Sequence, residues 1–171
     1  MAYLDLNSIQ VTNPGSILTA AWCDQARDND AFLYDRPNCS VYNNTTQSLT
    51  DDTSTALTAN SENHDNDAMH STTVNTARIT AQTAGRYLFN GTVEFTANST
   101  GRRLVYLRKN GGTANLLYSA AAPTSPTTAV GSFTKTYVMV AGDYIEVLAN
   151  QNSGGALTVT LAEFVGINMT G

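Results

Sequence analysis

The stretch from Thr83 to Thr96, TAGRYLFNGTVEFT, limits what this chain can fold into more than any other. From Tyr87 onward, Tyr87, Phe89, Gly91, Val93 and Phe95 fall on one side of an extended backbone, and Leu88, Asn90, Thr92, Glu94 and Thr96 on the other. Side chains alternate faces along a strand, so the pattern is that of a half-buried β-strand with an aromatic-rich inner face. Ala84-Gly85 just before it reads as a turn. A central strand of this length needs partners on both edges and a second sheet across its apolar face.

The rest of the chain from Cys39 reads as β. The expected strands are Cys39–Asn43, Thr55–Ala59, Ala77–Gln82, Tyr87–Ala97, Arg103–Lys109, Leu116–Ala120, Gly131–Val140, Tyr144–Asn150 and Leu157–Ile167. Turn residues separate them, among them Asn110-Gly111-Gly112, Ala141-Gly142-Asp143 and Asn152-Ser153-Gly154-Gly155. Many short strands with no helix between them predict an all-β sandwich or jelly roll.

One helix is expected ahead of this region, over Thr19–Tyr34, with Thr19 or Ser16 as N-cap and Arg36-Pro37 as its stop. Leu18, Trp22, Ala26 or Asn29, and Leu33 line one side of it. Such a helix either packs on its own domain or meets copies of itself, where an Asn at position 29 would fix register.

Composition excludes several function classes. The 171 residues fit one domain, and 42% hydrophobic against 13% charged residues describe a folded protein rather than a disordered one. The net charge of −5, with no basic run longer than Arg102-Arg103 or Arg108-Lys109, speaks against nucleic acid as a partner. No apolar run approaches the ~20 residues of a membrane helix, so no membrane is expected. Cys23 and Cys39 lack both a disulfide framework and metal-ligand spacing and read as free thiols. The opening MAYLDLNSIQ lacks a secretory pattern, which predicts a protein made and kept in a cytoplasm unless carried out on a particle.

Some late strands carry apolar residues on both faces: Tyr144, Ile145, Val147 and Leu148 in one, Phe164, Val165, Ile167 and Met169 in another. A sandwich strand has one core face, so the surplus calls for a second cover, most simply an identical subunit. Tyr144, Val147, Phe164, Ile167 and Met169 are therefore the candidate self-association residues.

Three motifs resemble a known family. Gly85-x-Tyr87-x-Phe89, Leu104-Val105-Tyr106-Leu107-Arg108-Lys109-Asn110-Gly111 and Gly142-Asp143-Tyr144-Ile145-Glu146-Val147 occur in the order shown by C1q-type domains. The resemblance covers most of residues 39–171 and implies a ten-stranded jelly roll that trimerises about a threefold axis, as in the C1q and tumour-necrosis-factor superfamily. Ahead of it, Arg27-Asp28-Asn29, Phe32-Leu33, Asp35-Arg36-Pro37, Cys39-x-Val41-Tyr42-Asn43 and Asp65-x-Asp67-Ala68-Met69-His70-Ser71 resemble virion proteins of tailed phages and prophages of actinobacteria. There a short anchor precedes a C1q-like head. The absence of a Gly-X-Y repeat and of a signal peptide points away from an animal secreted protein.

The densest polar cluster is NSENHDNDAMH, residues 60–70. Its His64, Asp65, Asp67 and His70 are candidate metal ligands, but their spacing matches neither a calcium loop nor a zinc site, and the reading preferred is a polar loop between strands with local hydrogen bonds and no metal. No Gly-x-Ser-x-Gly and no phosphate-cradling loop occurs, so no enzyme and no cofactor is expected. Leu116, Leu117 and Tyr118, in the small-residue stretch after Asn110, are either strand residues or an exposed sugar-stacking surface.

These readings divide the chain into an anchor, residues 1–37, and a head, residues 38–171. They predict a homotrimeric virion protein of capsid or tail, attached to capsid or tail proteins through Leu18, Trp22, Phe32 and Leu33. The alternative is an adhesin that binds a cell-surface glycan.

Overall fold

The computed structural model describes residues 20–113, 115–122 and 128–170, with residues 115–119 and 121 as backbone only. Helix α1 spans Ala20–Tyr34. The strands that follow are β1 (Asn38–Tyr42), β2 (Gln47–Leu49), β3 (Thr55–Ala56), β4 (Ser61–Asp65), β5 (Arg78–Thr80), β6 (Gly85–Phe95), β7 (Arg103–Lys109), β8 (Asn115–Ala121), β9 (Ala129–Met139), β10 (Tyr144–Gln151) and β11 (Leu157–Asn168). Among the described residues they make two antiparallel sheets. One has the order β4-β1-β11-β6-β9 with β2 also on β11; the other has β3-β10-β7-β8 with β5 also on β10. The chain passes repeatedly from one sheet to the other, which is the jelly roll expected from the sequence.

β6 is central, as its alternation requires. It is bonded along its length to β9 and β11. Tyr87, Phe89, Gly91, Val93 and Phe95 are all buried, while Arg86 and Asn90 face solvent. Across from them Val105, Leu107, Ile145, Val147 and Ala149 project from the second sheet into the same core. Each such side chain contributes roughly 1.5–3 kcal/mol by leaving water.

The second sheet is covered on both faces. Leu104, Tyr106 and Leu148 form a smaller cluster on its far side, with Ala56 against it. The apolar residues on both faces of β10 are thus explained within one chain. Arg103 is also fully buried and carries no carboxylate partner among the described residues. Its guanidinium donates instead to the carbonyls of Thr100, Arg102 and Asn98 at 3.0–3.1 Å and holds that turn.

Two expectations change. The cluster at 60–70 was read as loop, but Ser61–Asp65 is strand β4, paired with β1. Main-chain pairing at a solvated sheet edge tolerates a polar sequence. In α1, Leu33 is 45% exposed, and the buried residues are Asn29 and Phe32. Trp22, Ala26 and Asn29 keep their expected side, and the stripe then continues through Phe32 rather than Leu33, with Phe32 beside Pro37 and Asn66. Leu18 and both expected N-caps lie outside the described residues.

The β7–β8 and β9–β10 turns are locked to each other. Asn110 and Gly111 both have positive φ, and the Gly112 N–H donates to the Lys109 carbonyl at 2.9 Å, a turn that matches strand twist. Asp143, in the other turn, accepts from Lys109 Nζ at 2.6 Å, Asn110 Nδ2 at 2.7 Å and the Val140 N–H at 2.9 Å. The Lys109 bond, with the other two donors, lowers its pKa from 3.8 to about 2. A carboxyl depressed on folding stabilises the fold above its unfolded pKa, and that contribution fades as pH falls from about 4 toward 2. Asp143→Asn is expected to cost about 1–2 kcal/mol at neutral pH, the carboxylate lying near enough to water to discount the full shift. Melting curves of the two proteins at one concentration should converge near pH 2.

Candidate functional site

The outer face of the β6-containing sheet is one of two candidate surfaces. Register places Thr136, Leu88, Ile167 and Asn38 in one cross-strand row, Thr134, Asn90, Val165, Ser40 and His64 in the next, and Ser132, Thr92, Glu163 and Tyr42 in a third. Leu88, Val165 and Tyr42 are half-buried and Ile167 is 37% exposed. Among the described residues, five of the eight large exposed hydrophobic side chains belong here: Val130, Val138 and Ile167 on the face, Val140 and Met169 just past its strands. Arg86, Glu94, Glu163 and His64 stand among them, so the face is a mixed one on which exposed aliphatic side chains are interspersed with polar and charged residues, a composition that protein interfaces share.

The residues predicted for self-association do not form one patch. Val147 and Phe164 lie in the chain's own core at 4% exposure each, because both alternate inward on β10 and β11. Tyr144 stands on the outside of the other sheet, in a row with Thr80. Ile167 and Met169 alone lie on or beside the outer face of the β6 sheet.

The candidate metal ligands are likewise dispersed. The Asp65 carboxylate accepts from the backbone N–H groups of Asp67 at 3.2 Å, Met69 at 3.0 Å and His70 at 2.8 Å, so it organises the loop after β4. The His70 ring is buried, with Nδ1 2.8 Å from Glu62 and Nε2 3.1 Å from the Thr76 carbonyl. His64 is exposed on the outer sheet face, and Asp67 lies beside α1. Among the described residues no three His, Cys, Asp or Glu side chains converge.

The loop that Asp65 and His70 shape instead forms one wall of the second candidate surface, a hollow of about 460 Å³. Its other lining residues include Ser71, Val74, Asn75, Arg78, Gln82 and Tyr144. The Arg78 guanidinium lies over the Tyr144 ring at 4.1 Å, and its Nε faces Glu146 at 3.4 Å. Glu146 also faces Arg108 at 3.6 Å, leaving two cations against one carboxylate. Arg78 is not among the residues expected at a site from the sequence. The available signal was an Arg-Ile-Thr strand in which Arg and Thr must share the outer face.

Cys39 is buried in the core and Cys23 is exposed on α1. Burial, aided by the nearby Asp65 charge, pushes the Cys39 thiol up to about 12. Native protein is therefore expected to take one maleimide per chain, at Cys23, with Cys39 reacting only after denaturation; intact-mass spectrometry reads this directly.

Leu116, Leu117 and Tyr118 fall in β8, so the backbone at these positions is strand. No helix among the described residues is long and apolar enough to cross a membrane.

No family model matches the chain. Over 94 residues, 52% of the chain, it is 34% identical to the uncharacterized protein L688 of Acanthamoeba polyphaga mimivirus, of whose length it spans 40%. Among solved structures it is similar to the globular domain of zebrafish complement 1qA protein (TM-score 0.60, 18% identity, covering 79% of this chain and 98% of that one). It is also similar to the Eiger TNF from S. frugiperda (TM-score 0.55, 13% identity, covering 79% and 94%) and to murine APRIL (TM-score 0.53, 12% identity, covering 77% and 99%). The fold is the C1q/TNF jelly roll.

Proposed function

We propose that the chain is a non-enzymatic structural protein of a virus particle, a homotrimeric jelly-roll head held to capsid or tail proteins through residues 1–37. The exposed aliphatic side chains on the outer face of the β6 sheet, Val130, Val138 and Ile167, carry this reading: they stand uncovered on a fold whose resemblance implies threefold assembly. The partial likeness to a mimivirus protein supports a viral setting. Phe32 is already against the head, so particle contacts fall to the exposed Leu33 and Tyr34 and to Trp22 and Leu18. Three copies on one stem raise the effective concentration of any weak contact the head makes.

Immunogold labelling of intact particles tests the reading. Gold on capsid or tail is expected, and its absence from particles that infect normally would overturn it. A second reading, attachment to a cell-surface glycan, is favoured by the hollow beside Arg78, which is concave, open to solvent and lined by both polar and apolar residues.

A further inference from the structure

We infer that the hollow between the loop after β4 and the β9–β10 turn is a binding site for a carboxylate-bearing saccharide of the uronic-acid type. This deepens the attachment reading and rests on it.

The hollow falls within the roughly 300–1,000 Å³ of ordinary small-molecule sites. Among the described residues that line it, Arg78 alone is an Arg or Lys. Only the Nε of Arg78 has a partner among the described residues, and its terminal nitrogens are unbonded. The guanidinium is not loose, since the Tyr144 ring beneath it and Glu146 beside it fix its plane. A fixed fork with two free donors suits a carboxylate bound through both oxygens. The charge is not cancelled, because Glu146 is shared with Arg108.

The remaining lining identifies what the carboxylate is attached to. Gln82 spends its Nε2 on the Ala68 carbonyl at 2.8 Å and keeps its Oε1 as a free acceptor. The Asn75 amide is unbonded among the described residues and stands on a left-handed turn at φ 53°, while the Ser71 hydroxyl rims the same loop. Neutral donors and acceptors around one cation match hydroxyl groups around one acid. An acidic peptide would ask for several cations. Val74, 65% exposed, offers one apolar contact for a ring face.

Calorimetric titration with soluble trigalacturonate tests the site without requiring assembly. Saturable binding of one molecule per chain is expected, with at least tenfold weaker binding to the methyl ester of the same trisaccharide, to maltotriose and to a triglutamate peptide. Arg78→Gln should weaken binding at least tenfold, Arg78→Lys several-fold, and Asn75→Ala about threefold. The ligand-side comparison uses unaltered protein, so it decides the matter even if an Arg78 variant misfolds. No saturable binding, equal binding of the ester or the peptide, or full affinity in a folded Arg78→Gln would each overturn the proposal. Any of these would leave attachment through another glycan standing, which binding of the labelled protein to whole cells reads separately, so failure of the site is distinguishable from failure of the attachment reading.

Discussion

Light scattering of the purified protein at micromolar concentration is expected to give three times the 18.2 kDa chain mass, and a Val165→Asp, Ile167→Asp variant the mass of one chain. The two side chains are successive outward positions on β11, each in a cross-strand row with β6 and β1. Burying two such aliphatics against a neighbour contributes roughly 1.5–3 kcal/mol apiece in each subunit. Placing carboxylates there not only removes this but leaves unpaired charges to desolvate, at several kcal/mol each. Both positions face away from the chain's core, so the variant should keep its β-sheet circular dichroism. Equivalent charges at Ser132 and Thr134 on the margin should weaken assembly less, since water still reaches the rim of an interface. A well-folded single chain from the unaltered protein would end the trimer and the display model together. The jelly roll itself would stand.

The legible part of the fold was the part fixed by alternation. Tyr87 through Phe95 announce the central strand because five alternate residues are buried on one face of β6. Arg103–Lys109 was read to the residue, with Asn110-Gly111 marking its end. What alternation cannot show is which face a second cover protects. Leu148 on β10 and Ile167 on β11 carry the same sequence signal of surplus apolar side chain. Leu148 is closed over by Leu104 and Tyr106 of its own chain, whereas Ile167 is left open. That distinction needs the third dimension. Strands β2 and β4 were missed for a different reason: QSL and SENHD hold no apolar period and exist by main-chain pairing to β11 and β1. Gly85 was read as a turn but opens β6, where a Cβ would fall 2.5 Å from Thr170 Oγ1. The hollow beside Arg78 was equally hidden, being assembled from a loop, a turn and two strands far apart in sequence.

Substituting Gly91 is expected to damage the fold, because a Cβ at this buried position on β6 has no room. Gly91 sits opposite Phe133 on β9 and Phe164 on β11, and those two rings stack across it at 6.3 Å between centroids. A Cβ at Gly91 would lie 2.6 Å from Phe133 Cζ and 2.8 Å from the Glu163 carbonyl oxygen. The ring can swing aside; the carbonyl belongs to the β11 backbone and cannot move without disturbing the central ladder. Gly91→Ala should therefore cost about 2–3 kcal/mol, the range of overpacked cores, and Gly91→Val enough to deplete soluble protein. The cause is space rather than backbone angle, and two controls separate them. Gly155→Ala, with nothing within 4 Å, should be neutral or slightly stabilising. Adding Phe133→Leu to Gly91→Ala should recover part of the lost melting temperature, leaving only the Glu163 clash. Thermal melts must be compared at one protein concentration, because assembly adds a concentration-dependent share of stability. If Gly91→Val melts with the unaltered protein, the two rings do not close over β6 as described, and the packing of the whole first sheet is wrong.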